Sequence, residues 1–330
     1  MRNGIELLRV ICLIIVTLFH TVSRYDNPDI ITELPEIFRW IIRQLIWIAV
    51  PMFLFISGFL FSGQINNNRF TSCRDLIVNK FQRLLIPYIC FTCLIMLSSG
   101  FFDYTQLFKG NFWHLWFLPT LFCCFVVYFF IFNYINKCRR KNRFIESLIF
   151  IISFACCTIS IPEKFCFMGI DGLIKWGVYF VLGIIIKNNE TIFLIIMNKY
   201  KAWILLLSIW IINSLFYSTP YMTVTWNNTL AVCSMLLVVF YFINNIKLKP
   251  SINKIILPVA ASSMGIYILH YWILIYATSS TSLRIMGLFE NKSQTYVIFM
   301  LLTISIVVIS VSYILTSLLK SNRFLKISIG

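Results

Sequence analysis

Residues 5–23 read IELLRVICLIIVTLFHTVS. A helix of that length rises about 28 Å at 1.5 Å per residue, close to the roughly 30 Å of a bilayer's hydrocarbon core. Glu6 and Arg9 interrupt the run near its start and no small-x-small cleavage site follows it, so it reads as a first membrane span and not as a cleaved signal peptide. Two side chains are out of place in such a span. Arg9 and His20 are ionisable, and an ionisable group within the bilayer marks a functional site by default, because its burial costs free energy unless it is paired or wet. Their separation is informative too. Eleven residues at 100° each end roughly 20° past three full turns, so both side chains share one helix face, about 16 Å apart along the axis.

The rest of the 330-residue chain is of the same kind, with 59% hydrophobic and 12% charged residues. No soluble domain of this size has that composition. Ten apolar runs can be read as spans: 5–23, 37–62, 84–102, 112–135, 144–161, 171–186, 202–217, 227–245, 256–278 and 295–319. The expected fold is therefore an all-α membrane protein, a polytopic bundle of about ten transmembrane helices forming one domain over 1–330. The connections are too short for a soluble domain, so any chemistry or transport must take place within the bundle.

The formal net charge of +16 invites a nucleic-acid reading. Its distribution argues against one. With the N- and C-termini cytoplasmic, nineteen basic residues fall on the cytoplasmic side and five on the other, as the positive-inside rule requires. The densest run, 137–143, reads as an anchor facing anionic lipid of the inner leaflet. Topology thus accounts for the charge without a nucleic-acid partner. The eleven cysteines lie mostly inside apolar runs, where cysteine behaves as a small apolar residue, and the single CxxC (Cys90, Cys93) has no second pair. No metal site and no permanently bound cofactor are expected. No internal repeat is visible, which disfavours transporter folds built from duplicated halves.

The chain has three histidines, and all of them lie within or at the end of apolar runs: His20, His114 and His270. Several blocks around them form an ordered series. Gly4-Ile5-Glu6-Leu7-Leu8-Arg9 is followed by His20. Next comes Val50-Pro51-Met52-Phe53-Leu54-Phe55-Ile56-Ser57-Gly58-Phe59-Leu60, and then Arg83-Leu84-Leu85-Ile86-Pro87-Tyr88. His114-Leu115-Trp116-Phe117-Leu118 and Ser263-Met264-Gly265-Ile266-Tyr267-Ile268-Leu269-His270 complete the series. In order and spacing these five blocks resemble the acyltransferase family 3 membrane proteins, over essentially the whole chain. One position departs: Lys80 stands three before Arg83, where many relatives carry arginine, and lysine supplies charge without the bidentate fork.

The resemblance implies transfer of an acyl group, usually acetyl from acetyl-CoA, to a hydroxyl of a cell-surface polysaccharide or lipid-linked glycan at the bacterial inner membrane. It implies His20 as general base, with Glu6 and Arg9 completing the catalytic group. Neutral imidazole would take the proton of the acceptor hydroxyl as it attacks the thioester. Arg9, Lys80 and Arg83 are the expected donor-binding cations. His114, Trp116, Tyr267, His270 and Arg43 are the acceptor-side candidates. Each has a plainer alternative: Arg9 as a snorkelling residue paired with Glu6 at i,i+3, His114 and Trp116 as part of an interfacial aromatic belt, Lys80 and Arg83 as ordinary cytoplasmic charges. Ser57-Gly58 reads as helix packing. A different class of function stays open as well, a transporter or exporter of glycan or lipid whose buried His and Arg residues are substrate or proton sites. The partners expected are acyl-CoA from the cytosol, a glycan or glycolipid acceptor, and membrane lipid.

Overall fold

The computed structural model describes residues 2–25, 34–70, 72–100, 103–137, 143–162, 165–216, 224–246, 248–275, 292–322, 325 and 329. Among these the regular structure is helical throughout, with no strand. Part of the basic run 137–143 lies outside the described residues.

Each of the ten apolar runs forms helix, but they are not equivalent spans. Six helical stretches are long and apolar enough to cross a membrane, and eight if two bent pairs each count as one. The other two runs of the expected ten are short helices, α7 (Arg143–Cys156) and α10 (Ala202–Phe216), of 14 and 15 residues. Apolar length read along the chain includes the residues that turn the corner, and only those that stay helical contribute to crossing. The chain forms two compact units, Met1–Val50 with Ile246–Gly330, and Pro51–Asn245. The boundary falls within helix α2 (Glu36–Asn66), immediately before its internal Pro51.

The first unit contains α1 (Arg2–Tyr25), the start of α2, α12 (Pro250–Ala261), α13 (Ser263–Ile275) and α14 (Gln294–Ser321). Helix α1 packs on α12 and α14. Leu18 and Val22 of α1, Ile42 of α2, and Val297 and Leu301 of α14 make one buried cluster. The buried stripe of α14 continues through Ser305, Ser312 and Thr316. Those hydroxyls donate to the carbonyls of Leu301, Val308 and Ser312 at 2.6–2.8 Å, so polar side chains enter an apolar interior already satisfied. Gly265 of α13 lies against Thr316, where a side chain would collide. Helices α12 and α13 meet at 69°. At that break the Ser262 N–H reaches back to the Val259 carbonyl at 3.0 Å, a tightened last turn that ends α12.

The second unit contains the remainder of α2, α3 (Cys73–Lys80), α4 (Ile86–Ser99), α5 (Tyr104–Lys109), α6 (Phe117–Lys137), α7, α8 (Ile170–Asn188), α9 (Glu190–Lys199), α10 and α11 (Trp226–Asn244). A Cβ on Gly58 would strike the Phe180 carbonyl, and one on Gly183 the Phe55 carbonyl. The small residues thus let α2 and α8 approach backbone to backbone, as expected of small residues in membrane helices. Around the contact stand Phe61, Phe125, Tyr128 and Phe180, with ring centroids 5.1–5.7 Å apart. Helix α9 turns 88° from α8. The corner is held by the buried Glu146 of α7, whose carboxylate accepts from Asn188 Nδ2 at 2.7 Å and Asn189 Nδ2 at 3.0 Å, while Ser62 donates to Asn188 Oδ1 at 2.6 Å.

Candidate active site

The residues singled out in the sequence divide between the two units. Glu6, Arg9, His20, Arg43, Tyr267 and His270 belong to the first; Lys80, Arg83, His114 and Trp116 belong to the second.

In the first unit Arg9 and His20 ride on one uninterrupted helix, so the shared face and the separation of about 16 Å follow from helix geometry alone. Leu13 and Val16, on the same stripe between them, are buried. Glu6 accepts from Arg9 Nη1 at 3.1 Å across one turn, with the arginine side chain 28% exposed. The pair compensates part of the charge and leaves the other N–H groups of the guanidinium for an anionic ligand. Arg43 is half-buried on α2, beside Ile42 of the buried cluster.

At the other end of the stripe the His20 ring meets α13. Its centroid lies 5.3 Å from that of His270 and 4.9 Å from that of Tyr271. His270 is 0% exposed, and its Nδ1 lies 3.2 Å from the Ile266 carbonyl. A carbonyl only accepts, so the Nδ1–H tautomer is selected and Nε2 carries the lone pair in the neutral ring. Tyr267, one turn earlier, contacts His270 at 5.8 Å between centroids. Two rings of α13 thus meet the half-buried His20 imidazole at the end of α1, with Tyr267 against His270. A half-buried histidine beside a buried one of fixed tautomer suits proton transfer, because burial restricts rotamers and excludes competing water. Tyr271 is the member that the sequence reading missed. Its only signal was adjacency to His270, and successive helical residues point 100° apart, so helix-face logic assigned the face to Tyr267 instead.

In the second unit Lys80 is not an exposed cytoplasmic-type charge. It is 6% exposed and its ammonium sits 3.6 Å from the centroid of the Phe125 ring, with Phe70 at 5.6 Å. A desolvated ammonium over an aromatic face is worth on the order of 2 kcal/mol. Arg83 is exposed. Lys80 immediately precedes a π-turn, Phe81–Leu85, that contains Arg83 and in which the Ile86 N–H reaches the Phe81 carbonyl. Pro87 explains it: proline has no N–H for the residue 83 carbonyl and its ring crowds that carbonyl, so the helix widens there. The widened turn separates Lys80 from Arg83, the one facing in and the other out.

His114 is buried and Trp116 half-buried in a 3₁₀ turn, Trp113–Trp116, that opens α6. The backbone here is unusual. Trp113 and Met168 have φ of 41° and 46°, and Gly110 and Gly169 are left-handed as well. Two hydrogen bonds tie the segments together, Met168 N–H to the Phe108 carbonyl at 2.7 Å and Gly169 N–H to the Lys109 carbonyl at 3.1 Å. Glycine is required at both places: a Cβ on Gly110 would lie 2.5 Å from the Gly169 nitrogen, and one on Gly169 2.6 Å from the Thr120 nitrogen. Asp103 caps α5, and the hydroxyl and N–H of Thr105 hold its carboxyl below the usual range. Trp116 rests against Trp176 of α8 at 5.5 Å between centroids.

Comparison with curated proteins and with solved structures gives no significant match. Comparison with family models gives one that is described as an acyltransferase domain and covers residues 2–316. That span takes in the Glu6–Arg9 pair, the histidine–tyrosine cluster, the π-turn and the 3₁₀ turn together, and it places the chain in acyltransferase family 3 as a multi-pass membrane acyltransferase.

Proposed function

We propose that the protein is a membrane O-acyltransferase that moves an acyl group, acetyl from acetyl-CoA, to a hydroxyl of a cell-surface polysaccharide or its lipid-linked precursor, in the inner membrane of a bacterium. The observation that carries this reading is the His20–His270–Tyr271 cluster at the end of a helix that also bears the Glu6–Arg9 pair, in a chain of an acyltransferase family. In direct transfer the His20 imidazole takes the proton of the acceptor hydroxyl as its oxygen bonds to the thioester carbonyl carbon. The tetrahedral adduct then collapses, the carbon–sulfur bond breaks, and the coenzyme A thiolate recovers the proton from the imidazolium. His270 acts by orienting the His20 ring, its own tautomer held by the Ile266 carbonyl. Arg9 receives phosphate of the donor, with Glu6 holding the guanidinium on the His20 side. Lys80 and Arg83 are further donor-side cations, and His114, Trp116, Tyr267 and Arg43 belong to the acceptor side. With both termini in the cytosol, Arg9 lies at the inner leaflet and His20 in the outer half of the bilayer, so the donor approaches from the cytosol and the acceptor from outside.

The test is acylation of the cell's own surface glycan. His20→Ala should insert at normal levels and lose transfer by about 10²–10⁴-fold, the usual weight of a general base. Wild-type acylation in a well-expressed His20→Ala strain would sink the mechanism, and a purified protein that binds no acetyl-CoA would favour the transporter alternative, which needs no acyl donor.

A further inference from the structure

We infer that Trp113, backed by Phe112, is a stacking platform for a pyranose ring of the acceptor glycan. The inference rests on the acyltransferase reading for the identity of its ligand.

Four observations converge on this residue. Its backbone is left-handed, with φ of 41°, a region that bulky side chains avoid and that persists only where the surroundings enforce it. The surroundings do enforce it. The Leu115 N–H bonds the Phe112 carbonyl at 3.0 Å across the turn, and the neighbouring segment is clamped by the Met168–Phe108 and Gly169–Lys109 bonds. Trp113 is 47% exposed. It also lies nearly parallel to the ring of Phe112, at 14° and 5.2 Å between centroids, and Phe112 is itself buried. The result is a partly exposed tryptophan on a fixed aromatic base.

The same 3₁₀ turn carries Trp116, which leans on Trp176. The buried His114 lies between the two tryptophans in sequence. A tryptophan that only marked the membrane interface would need neither a strained backbone nor a parallel ring beneath it. The face of an indole is electron-rich, and it attracts the weakly positive C–H groups that one side of a pyranose presents, while the sugar's hydroxyls stay at the rim. An anionic group would be repelled by the same face. The ligand chemistry is therefore a neutral, polyhydroxylated ring with an apolar side, which is the form of a glycan acceptor.

The experiment is donor-free binding, so that it stands apart from acyl transfer. The cell's surface polysaccharide, stripped of O-acyl esters by mild alkali, is titrated into detergent-purified full-length protein without acyl-CoA. Trp113→Asn removes the ring and suits the left-handed backbone, so binding should weaken about tenfold while the thermal midpoint holds or rises. Trp113→Phe should keep most of the affinity. If the Asn variant melts early, Trp113→Leu replaces it: leucine keeps apolar bulk and strain without a π face, and it should bind as weakly as Asn was expected to. Asn or Leu variants that bind like wild type overturn the platform, as does a wild-type protein that transfers acyl groups but shows no donor-free glycan binding. Glycan binding that depends on Trp113 in a protein unable to transfer acyl groups would uphold the platform and overturn the proposed enzyme.

Discussion

The histidine cluster of α1 and α13 and the tryptophan turn before α6 solve opposite problems. The first places reactive side chains on regular helices, where position follows from residue spacing and each rotamer is limited by packing. The second places recognition side chains on backbone that no local preference would choose, with four left-handed residues in two segments that hydrogen bonds tie together. At His20 a single substitution should remove one function and leave the fold intact. At the turn, conformation and function are tied together, and a substitution that relaxes the backbone should cost recognition. The comparison turns on whether chemistry and stability separate.

The largest effect that can break it is at His20. Its loss should cost transfer by about 10²–10⁴-fold with only a small fall in thermal midpoint, because the half-buried ring gives up its contacts with His270 and Tyr271 but is not part of the buried core. The same substitution lowering the midpoint by as much as a core truncation would place His20 in the architecture instead. His270 sharpens the point. It is fully buried, so His270→Ala should both slow transfer and destabilise by about 1–3 kcal/mol, whereas His270→Gln, which can still donate to the Ile266 carbonyl, should recover stability more than rate. Recovery of both in equal measure would mean that the histidine ring itself does nothing for His20.

Next in size is the helix approach that supports the second unit. Gly58→Val puts a side chain into the Phe180 backbone, which cannot yield as a side-chain tip could, so the loss should be about 1–3 kcal/mol or more, read as a lower melting temperature in detergent. Gly63→Ala, on the same helix with only the far end of Lys187 at 3.7 Å, should be nearly silent. Equal losses at the two glycines would mean that the approach to Phe180 is not the cause, since helix propensity alone favours both replacements over glycine.

The smaller effects lie at the cations. Arg9→Ala should raise the KM for acyl-CoA by about tenfold and Arg9→Lys by less, since lysine restores charge but not the planar fork. Unchanged KM in both would leave Arg9 as Glu6's structural partner. Lys80→Met should cost about 0.5–2 kcal/mol of stability through loss of the contact with Phe125. A Lys80→Met/Phe125→Leu double variant no less stable than Phe125→Leu alone would locate that loss in the cation–ring pair. A change in acyl-CoA KM for Lys80→Met would assign the buried ammonium to the donor as well.

Much of this was determined by residue order alone. Membrane class followed from composition, because no soluble core could absorb so much apolar surface, and the shared face of Arg9 and His20 followed from the constant rotation of a helix. The packing role of Gly58 was legible for a related reason: in lipid, close approach is what small residues provide. The family was legible in the order and spacing of five short blocks. Tertiary structure decided the rest. The ten apolar runs became six to eight helices able to cross a membrane, because hydropathy counts residues and cannot see where Asn189 or Ser262 breaks an axis. Lys80 turned inward because Phe125, on another helix, offers its ring, and no local signal carries that. Tyr271 joined the cluster because the ring of His20 lies between two faces of α13. The left-handed Trp113 was invisible for the deepest reason. Local sequence records what a residue prefers, and strain exists only where distant hydrogen bonds and packing override that preference.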